Sequence, residues 1–133
     1  MKNNSEVNYV SETEIWVGDN KTSLIEGNII YVITCGEQTT EIAIAQTEVN
    51  QKISSMINGE INFLIDLNKC GKNSSEARLL WKQIPAQENN KKIALFGLHP
   101  VAKLIASFVM GMTKSNKERF FSTKEQALAW LLE

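Results

Sequence analysis

Apolar residues in this chain follow two patterns, one typical of buried strands and one typical of amphipathic helices. Short runs rich in β-branched residues, bounded by glycine or polar turns, predict strands at residues 14–17, 24–25, 28–34, 61–67, 92–97 and 119–121. Gly27-Asn28 joins the second and third runs and predicts an antiparallel hairpin. Residues 1–12 are polar, and we expect them to form a flexible N-terminus.

Between the strands, apolar residues recur every three or four positions and predict four helices. The first covers residues 40–57 and ends before Gly59, and the second begins at Asn73 or Ser74. The third begins at Pro100, and the fourth follows a capping box formed by Ser122 and Glu125. The apolar faces of the four helices are Ile42, Ala45, Val49, Ile53 and Met56; Ala77, Leu80, Trp81 and Ile84; Val101, Leu104, Ile105, Phe108 and Met112; and Ala127, Leu128, Trp130 and Leu131.

The order of these elements predicts an α/β fold. An N-terminal antiparallel hairpin that feeds parallel β-α units gives a mixed sheet with helices packed over it. A length of 133 residues fits one domain, which we place at residues 13–133. A chain of this length buries about two-thirds of its unfolded surface and needs no disulfide or metal for stability.

Composition excludes several classes of function. The net charge of −1 gives no long-range attraction to nucleic acid. The apolar runs near residues 29–33 and 101–112 are too short to span a bilayer, so we expect no stable membrane insertion. Cys35 and Cys70 form no CxxC pair, and the first twelve residues lack the apolar core of a signal peptide. These features predict reduced thiols in the cytoplasm.

Candidate catalytic chemistry is sparse. His99 is the single histidine, which excludes a metal site built on several histidines, and a dyad of Cys70 with His99 has no local support. We therefore expect no catalytic residues, no metal, no cofactor and no enzyme activity. Gly97 precedes a helix start that favours anions. Asp66 ends a buried strand, where α/β ligand sites form, and we expect it to accept hydrogen bonds from the following loop.

Four segments of the chain carry a resemblance to a known family: CGEQT, FLIDLNKCGKNSSEAR, KIALFGLHPVAKLIASFVMG and RFFSTKEQALAWLLE. They resemble the STAS domains, the fold of the anti-anti-sigma factor SpoIIAA, and bacterial SpoIIAA-like proteins often grouped with CRAL-TRIO-type lipid-binding domains. The resemblance implies a SpoIIAA-like fold and a regulatory or scaffold role through an unknown protein partner, as in anti-sigma-factor antagonists. The lipid-binding relatives imply the alternative of an apolar small-molecule or lipid carrier.

STAS regulators carry a D-S-S-G motif in which a partner kinase phosphorylates one serine, and this chain has Asn73-Ser74-Ser75-Glu76 in that place. The flanking residues differ, so two interpretations of Ser74 and Ser75 stay open. One is helix capping, which we prefer because serine is a favoured cap residue, and the other is a phosphosite. The residues expected to form a ligand or partner loop are Asp66, Asn73, Glu76, Gly97 and His99.

Three further expectations concern packing. Phe108, Met110, Met112, Phe120 and Phe121 are candidates for a lipid pocket, although residues at such spacing more often form the core. The apolar face of the last helix predicts that Trp130 is buried against the sheet. The hairpin at residues 14–34 leaves a sheet edge exposed, which predicts a homodimer.

Overall fold

A computed structural model describes residues 5–97, 99–100 and 116–133. Seven strands form one sheet in sequence order: β1 Val7–Ser11, β2 Glu14–Val17, β3 Asn20–Ile25, β4 Ile29–Gln38, β5 Ile61–Asn73, β6 Asn90–Phe96 and β7 Glu118–Phe121. The described part of the chain also contains three helices: α1 Thr40–Ser54, α2 Ser75–Ala86 and α3 Lys124–Leu131. The helix predicted to begin at Pro100 and to include Met112 lies outside the described residues.

The sheet is mixed, as the sequence predicts. Strands β1 to β4 are antiparallel, and β4 to β7 are parallel. The antiparallel half differs from the prediction because it contains three hairpins instead of one. Asn20, which lies outside the predicted strands, is the first residue of β3 and pairs with Val17 across a two-residue turn. At the next turn Gly27 adopts φ +80°, a conformation that glycine accommodates without strain.

Strand β1 is the outer strand of the antiparallel half, and the prediction of a flexible segment over residues 1–12 missed it. It pairs with β2, and Tyr9 lies opposite Ile15. Tyr9 and Val10 are 50% and 58% exposed. A strand that buries so little apolar surface leaves no clear periodic signal in the sequence. Its backbone pairing and the Lys52 ammonium, 4.4 Å from the centre of the Tyr9 ring, hold it in place.

Two helix boundaries differ by a few residues from their predictions. Helix α1 ends at Ser54 rather than at residue 57, so Met56 lies beyond it and is exposed instead of in the core. The N-cap of α3 is Thr123, whose hydroxyl accepts a hydrogen bond from the Gln126 N–H (3.2 Å). That cap lies one residue after the Ser122 predicted for it.

Both faces of the sheet are covered. Helices α1 and α2 pack over one face, where the core contains Ile30, Phe63 and Ile93. Helix α3 packs over the other face through Ala127 and Leu131. Trp130 was expected to be buried, but it is half-buried, with its ring centroid 5.6 Å from that of Phe121.

A network of buried polar side chains joins β3, β4 and α1, and we call it the amide network. Asn20 and Gln38 exchange two hydrogen bonds, Asn20 Nδ2 to Gln38 Oε1 (2.9 Å) and Gln38 Nε2 to Asn20 Oδ1 (3.1 Å). Gln46 Nε2 donates to Thr22 Oγ1 (2.7 Å) and to Asn50 Oδ1 (3.0 Å). All five side chains are at most 6% exposed, and their hydrogen bonds offset the cost of burying polar atoms.

Candidate functional site

The carboxyl ends of β4 and β5 form the base of the candidate site. Residues 68–73, predicted to form a loop, continue β5, and the pairing with β4 extends to Gln38 opposite Asn73. At Gly71 an added Cβ would lie 3.1 Å from the backbone carbon of Gly36. The two strands approach closely here, and a side chain at Gly71 would force them apart.

The N-termini of α1 and α2 meet directly above these strand ends. Ser74 is the N-cap of α2, and its Oγ accepts a hydrogen bond from the Ala77 N–H (3.0 Å). The Ser74 and Thr40 hydroxyl oxygens lie 2.9 Å apart, and the Ser74 N–H donates to the Gln38 carbonyl (3.1 Å). Ser74 therefore has the capping role that the sequence favours. Ser75 is the first residue of α2, and its side chain is exposed.

Asn73 anchors the turn between β5 and α2. Its Oδ1 accepts a hydrogen bond from Trp81 Nε1 (2.8 Å), and its Nδ2 donates to the Gly71 carbonyl (3.1 Å). Only 4% of Asn73 is exposed. Asn73 holds α2 against the strand end and offers almost no surface for a partner, although the sequence placed it in the ligand or partner loop.

The other residues of the predicted loop are spread along the sheet. Asp66 lies in the middle of β5, and its Oδ1 accepts the expected hydrogen bonds from the N–H (2.9 Å) and Nδ2 (3.1 Å) of Asn68. Glu76 is exposed in the first turn of α2. Gly97 is buried after β6, and His99 is exposed near it. Glu76 therefore lies beside Ser75, whereas Asp66 is seven positions before Asn73 along the same strand.

Two exposed apolar side chains flank the meeting point of the helices. Ile44 and Leu79, 49% and 55% exposed, are each the fifth residue of their helix. Because the two helices begin side by side, this equal spacing places Ile44 and Leu79 at the same level. Together with Ser75 and Glu76 they form what we call the helix-start surface. Sequence reasoning missed both apolar residues, although each is an apolar residue outside the stripe that faces the core.

The internal cavity beneath α2 is small. It is bounded by Ile65, Cys70, Trp81 and neighbouring side chains and has a volume of about 20 Å³. That space holds about one water molecule, whereas small-molecule pockets measure several hundred cubic ångströms. Phe120 and Phe121, proposed for a lipid pocket, pack on opposite faces of the sheet. Phe108, Met110 and Met112 lie outside the described residues.

The thiols and the acidic side chains provide no metal site in the described part of the chain. Cys35 and Cys70 are both free, and burial raises the pKa of the Cys70 thiol. Within residues 5–97, 99–100 and 116–133, no three His, Cys, Asp or Glu side chains lie close enough together to bind a metal ion. None of the helices formed by these residues has the length and apolar content that crossing a bilayer requires.

Two solved structures share the architecture. An uncharacterized protein of the DUF3478 family with a SpoIIAA-like fold, from Shewanella loihica PV-4, aligns with a TM-score of 0.63 and 19% identity over 84% of this chain and 91% of its own. The anti-sigma factor antagonist SpoIIAA in its unphosphorylated form aligns with a TM-score of 0.54 and 10% identity over 85% and 97%. These similarities confirm the SpoIIAA-like fold expected from the sequence.

At the level of sequence, no curated protein matches the chain. A family model does match, over residues 23–133, which cover β4 to β7, all three described helices and the helix-start surface. The chain therefore belongs to the family described as Domain of unknown function (DUF7793).

Proposed function

We propose that this chain is a non-enzymatic regulatory or scaffold domain of the cytoplasm that binds a protein partner through the helix-start surface. The observation that carries the proposal is the exposure of Ile44 and Leu79 beside Ser75 on a SpoIIAA-like fold. The structural neighbour SpoIIAA is an anti-sigma factor antagonist, which acts on another protein. The two free cysteines fit a reducing compartment.

The composition of the helix-start surface supports a protein partner. A single exposed apolar residue is ordinary on a protein surface, but two at one level on adjacent helices offer an apolar centre. Exposed charges of both signs, Glu41, Glu76 and Lys72, occur within a few residues of the two helix N-termini. An apolar centre with a polar rim is the usual arrangement of a protein interface.

Ser75 suits regulation by phosphate better than Ser74. The Ser74 hydroxyl already caps α2 and contacts Thr40, whereas the Ser75 side chain is exposed. A phosphate on Ser75 would gain from the positive end of the α2 dipole and lose from repulsion by Glu76. The capping interpretation predicts that Ser74→Ala costs about 1 kcal/mol of stability and leaves partner affinity unchanged.

The proposal is tested with the partner recovered from the source cell by pull-down and then purified. Ile44→Ser and Leu79→Ser should each weaken its affinity by about tenfold, which corresponds to about 1.4 kcal/mol. Leu132→Ser is the matched control, because Leu132 is 55% exposed but follows α3, which covers the other face of the sheet. Equal affinities for all three variants and the unmodified chain would refute the proposed surface. Phosphate on Ser75, found by mass spectrometry of the native protein, would identify it as a phosphosite, and Ser75→Asp should then change partner affinity.

We also propose that β1 pairs with a second copy of the chain. β1 is the outer strand of the sheet, and its Tyr9 and Val10 side chains are exposed. An unpaired strand edge of this kind invites pairing with another chain. Sedimentation should show a dimer whose fraction rises with concentration, and Val10→Lys should abolish it. A monomer throughout the high-micromolar range would rule the dimer out.

The alternative function, an apolar-ligand or lipid carrier, stays a prediction. The cavity beneath α2, of about 20 Å³, is too small to hold such a molecule. Native mass spectrometry of the purified protein tests it directly, because a carrier should retain an apolar molecule.

A further inference from the structure

A groove opens at the end of the helix layer opposite to the helix-start surface. It has a volume of about 450 Å³, within the range of small-molecule sites. The carboxyl ends of α1 and α2 form its walls, and the first residues of β5 and β6 form its base. The side chains used below are Asn50, Gln51 and Ser54 from α1, Gln83 and Gln87 from α2, and Glu88 after it.

The amide network ends in this groove. At its other end, hydrogen bonds to backbone groups fix which atom of each side-chain amide is the nitrogen and which is the oxygen. The Cys35 N–H donates to Asn20 Oδ1 (2.9 Å), which identifies that atom as the oxygen. Gln38 Nε2 donates to the carbonyl oxygens of Cys35 (3.3 Å) and Gly36 (3.1 Å), which identifies that atom as the nitrogen. Backbone groups cannot exchange donor for acceptor, so neither amide can turn over without losing these bonds.

The assignment of donors and acceptors at Asn20 then determines those of the next amides, on α1. Asn20 Nδ2 donates to Gln46 Oε1 (3.3 Å), and Gln46 Nε2 donates to Asn50 Oδ1 (3.0 Å). The remaining polar atom is Asn50 Nδ2, on a side chain that is 6% exposed and lines the groove. Among the described residues Asn50 Nδ2 has no acceptor. Asn50 Nδ2 is not among the polar atoms shut off from solvent, so this donor, whose orientation the network fixes, is open to a hydrogen-bond acceptor that enters from the groove.

The charge around the groove disfavours an acceptor that is an anion. Of the described residues that line it, Glu88 is the only charged one. Both walls are helix carboxyl ends, which carry partial negative charge and disfavour anions. Lys117 Nζ donates to the Pro85 and Gln87 carbonyl oxygens (2.9 and 3.1 Å) at the end of α2 and is not part of the lining.

We propose that the groove binds a small uncharged molecule that carries amide or hydroxyl groups. Its carbonyl or hydroxyl oxygen accepts a hydrogen bond from Asn50 Nδ2. Its own donors and acceptors pair with the amides of Gln51, Gln83 and Gln87, since a carboxamide offers both kinds of group. This proposal is independent of the partner surface at the other end of the helices.

The test is an NMR titration of the full chain that follows the side-chain amide signals. N-acetylglycinamide and glucose serve as amide and polyol probes, and inorganic phosphate and methylammonium serve as charged probes. At least one uncharged probe should shift the Asn50 side-chain signal with a saturable curve at millimolar concentration, and neither charged probe should. Whichever uncharged probe gives a saturable curve shows whether the groove prefers an amide or a polyol. No saturation with either uncharged probe, which means that water alone occupies the site, or saturation by either charged probe, would overturn the proposal.

Substitutions test whether the shift of the Asn50 side-chain NMR signal comes from binding in the groove. Asn50→Asp keeps the oxygen that Gln46 uses and replaces the Nδ2 donor, and Ser54→Trp fills the groove. Each should weaken probe binding at least tenfold, whereas Gln126→Ala, an exposed glutamine on α3, should leave it unchanged. If Asn50→Asp does not fold, Ser54→Trp and the exposed rim variant Gln83→Ala decide the outcome. Full binding by the folded groove variants would contradict the assignment.

Discussion

The amide network can be tested with one substitution, Asn20→Asp, which exchanges a single NH₂ group for oxygen. The side chain keeps the Oδ1 that accepts from the Cys35 N–H (2.9 Å). It loses the Nδ2 that donates to Gln38 Oε1 (2.9 Å) and to Gln46 Oε1 (3.3 Å). The buried Oε1 atoms of Gln38 and Gln46 then face a carboxylate oxygen at position 20, and no proton lies between them to form a hydrogen bond.

The loss at neutral pH follows from burial. Asn20 is 1% exposed, and Gln38 and Gln46 are fully buried, so water cannot replace the missing donor. Gln38 cannot turn to compensate, because its Nε2 would leave the carbonyl oxygens of Cys35 and Gly36. Each stranded acceptor costs about 1–3 kcal/mol, and an uncompensated buried charge costs about 3–5 kcal/mol. We therefore expect the free energy of unfolding to fall by about 4 kcal/mol at pH 7.

The loss should depend on pH with a defined sign. Burial and the two facing oxygens raise the pKa of the new carboxyl in the folded state above its unfolded value of about 3.9. Below that value the carboxyl is protonated in both states, and its O–H donates to Gln38 Oε1, so most stability is retained. Above it the deficit grows by about 1.4 kcal/mol per pH unit until the folded pKa is reached.

The assay is urea unfolding of the variant and the unmodified chain at pH 4, 5, 6 and 7, because their difference cancels the other carboxyl groups. Asn8→Asp on the exposed β1 is the control, and it should stay within about 0.5 kcal/mol of the unmodified chain throughout. A difference for Asn20→Asp that is below about 1 kcal/mol at pH 7, or that does not change with pH, would refute a dry and ordered network.

Three further predictions concern the candidate site. Gly71→Ala should lower the free energy of unfolding by about 1–3 kcal/mol, because its Cβ would meet backbone atoms 3.1–3.2 Å away; an unchanged urea midpoint would contradict the close strand approach. Trp81→Phe should cost about 1–3 kcal/mol in the same assay, because it strands the Asn73 oxygen, and a neutral result would show that this bond is not formed. Cys35 should react with a disulfide reagent faster than Cys70, whose pKa is raised by burial, so Cys35→Ser should remove the fast phase.

Strands β4 to β6 of the parallel half were predictable because most of their residues are buried. The runs predicted at residues 28–34, 61–67 and 92–97 read as near-continuous apolar segments, which is the pattern of strands covered by helices. Strand β1 and residues 68–73 lack this pattern. The first is exposed, and the second is polar and is held as a strand by its pairing with the end of β4. Pairing between distant segments leaves no local signal in the sequence.

The amide network shows how much of a site one chain can reveal. Gln46 and Asn50 lie four and eight positions after Ile42, on the stripe of α1 that faces the core. Polar residues on an apolar stripe were therefore a usable sign of a buried network. Their partner Asn20 lies 26 positions before Gln46, and no spacing rule connects the two. The groove was unpredictable for the same reason, since its walls come from separate helices.

Ser74, next to the helix-start surface, is linked to the groove through hydrogen bonds and the covalent structure of Gln38, which raises the question of whether the two ends communicate. The Ser74 N–H donates to the Gln38 carbonyl (3.1 Å), and the Gln38 side chain continues through Asn20 and Gln46 to Asn50. Contact alone does not couple two sites, because coupling requires an element with two arrangements. Backbone groups restrict this network to one arrangement, so we expect it to fix α1 on the sheet without acting as a switch.

This reasoning predicts that the groove-filling variant Ser54→Trp leaves affinity for a protein partner at the helix-start surface unchanged. Isothermal titration of the purified partner against Ser54→Trp and the unmodified chain measures the difference directly. Leu79→Ser provides the positive control, because it changes the surface itself. When two sites are coupled, filling one typically changes the affinity of the other by about fivefold or more. A change of that size in a folded Ser54→Trp chain would show that the network has a second arrangement, and that the fixed donor on Asn50 is one state of two.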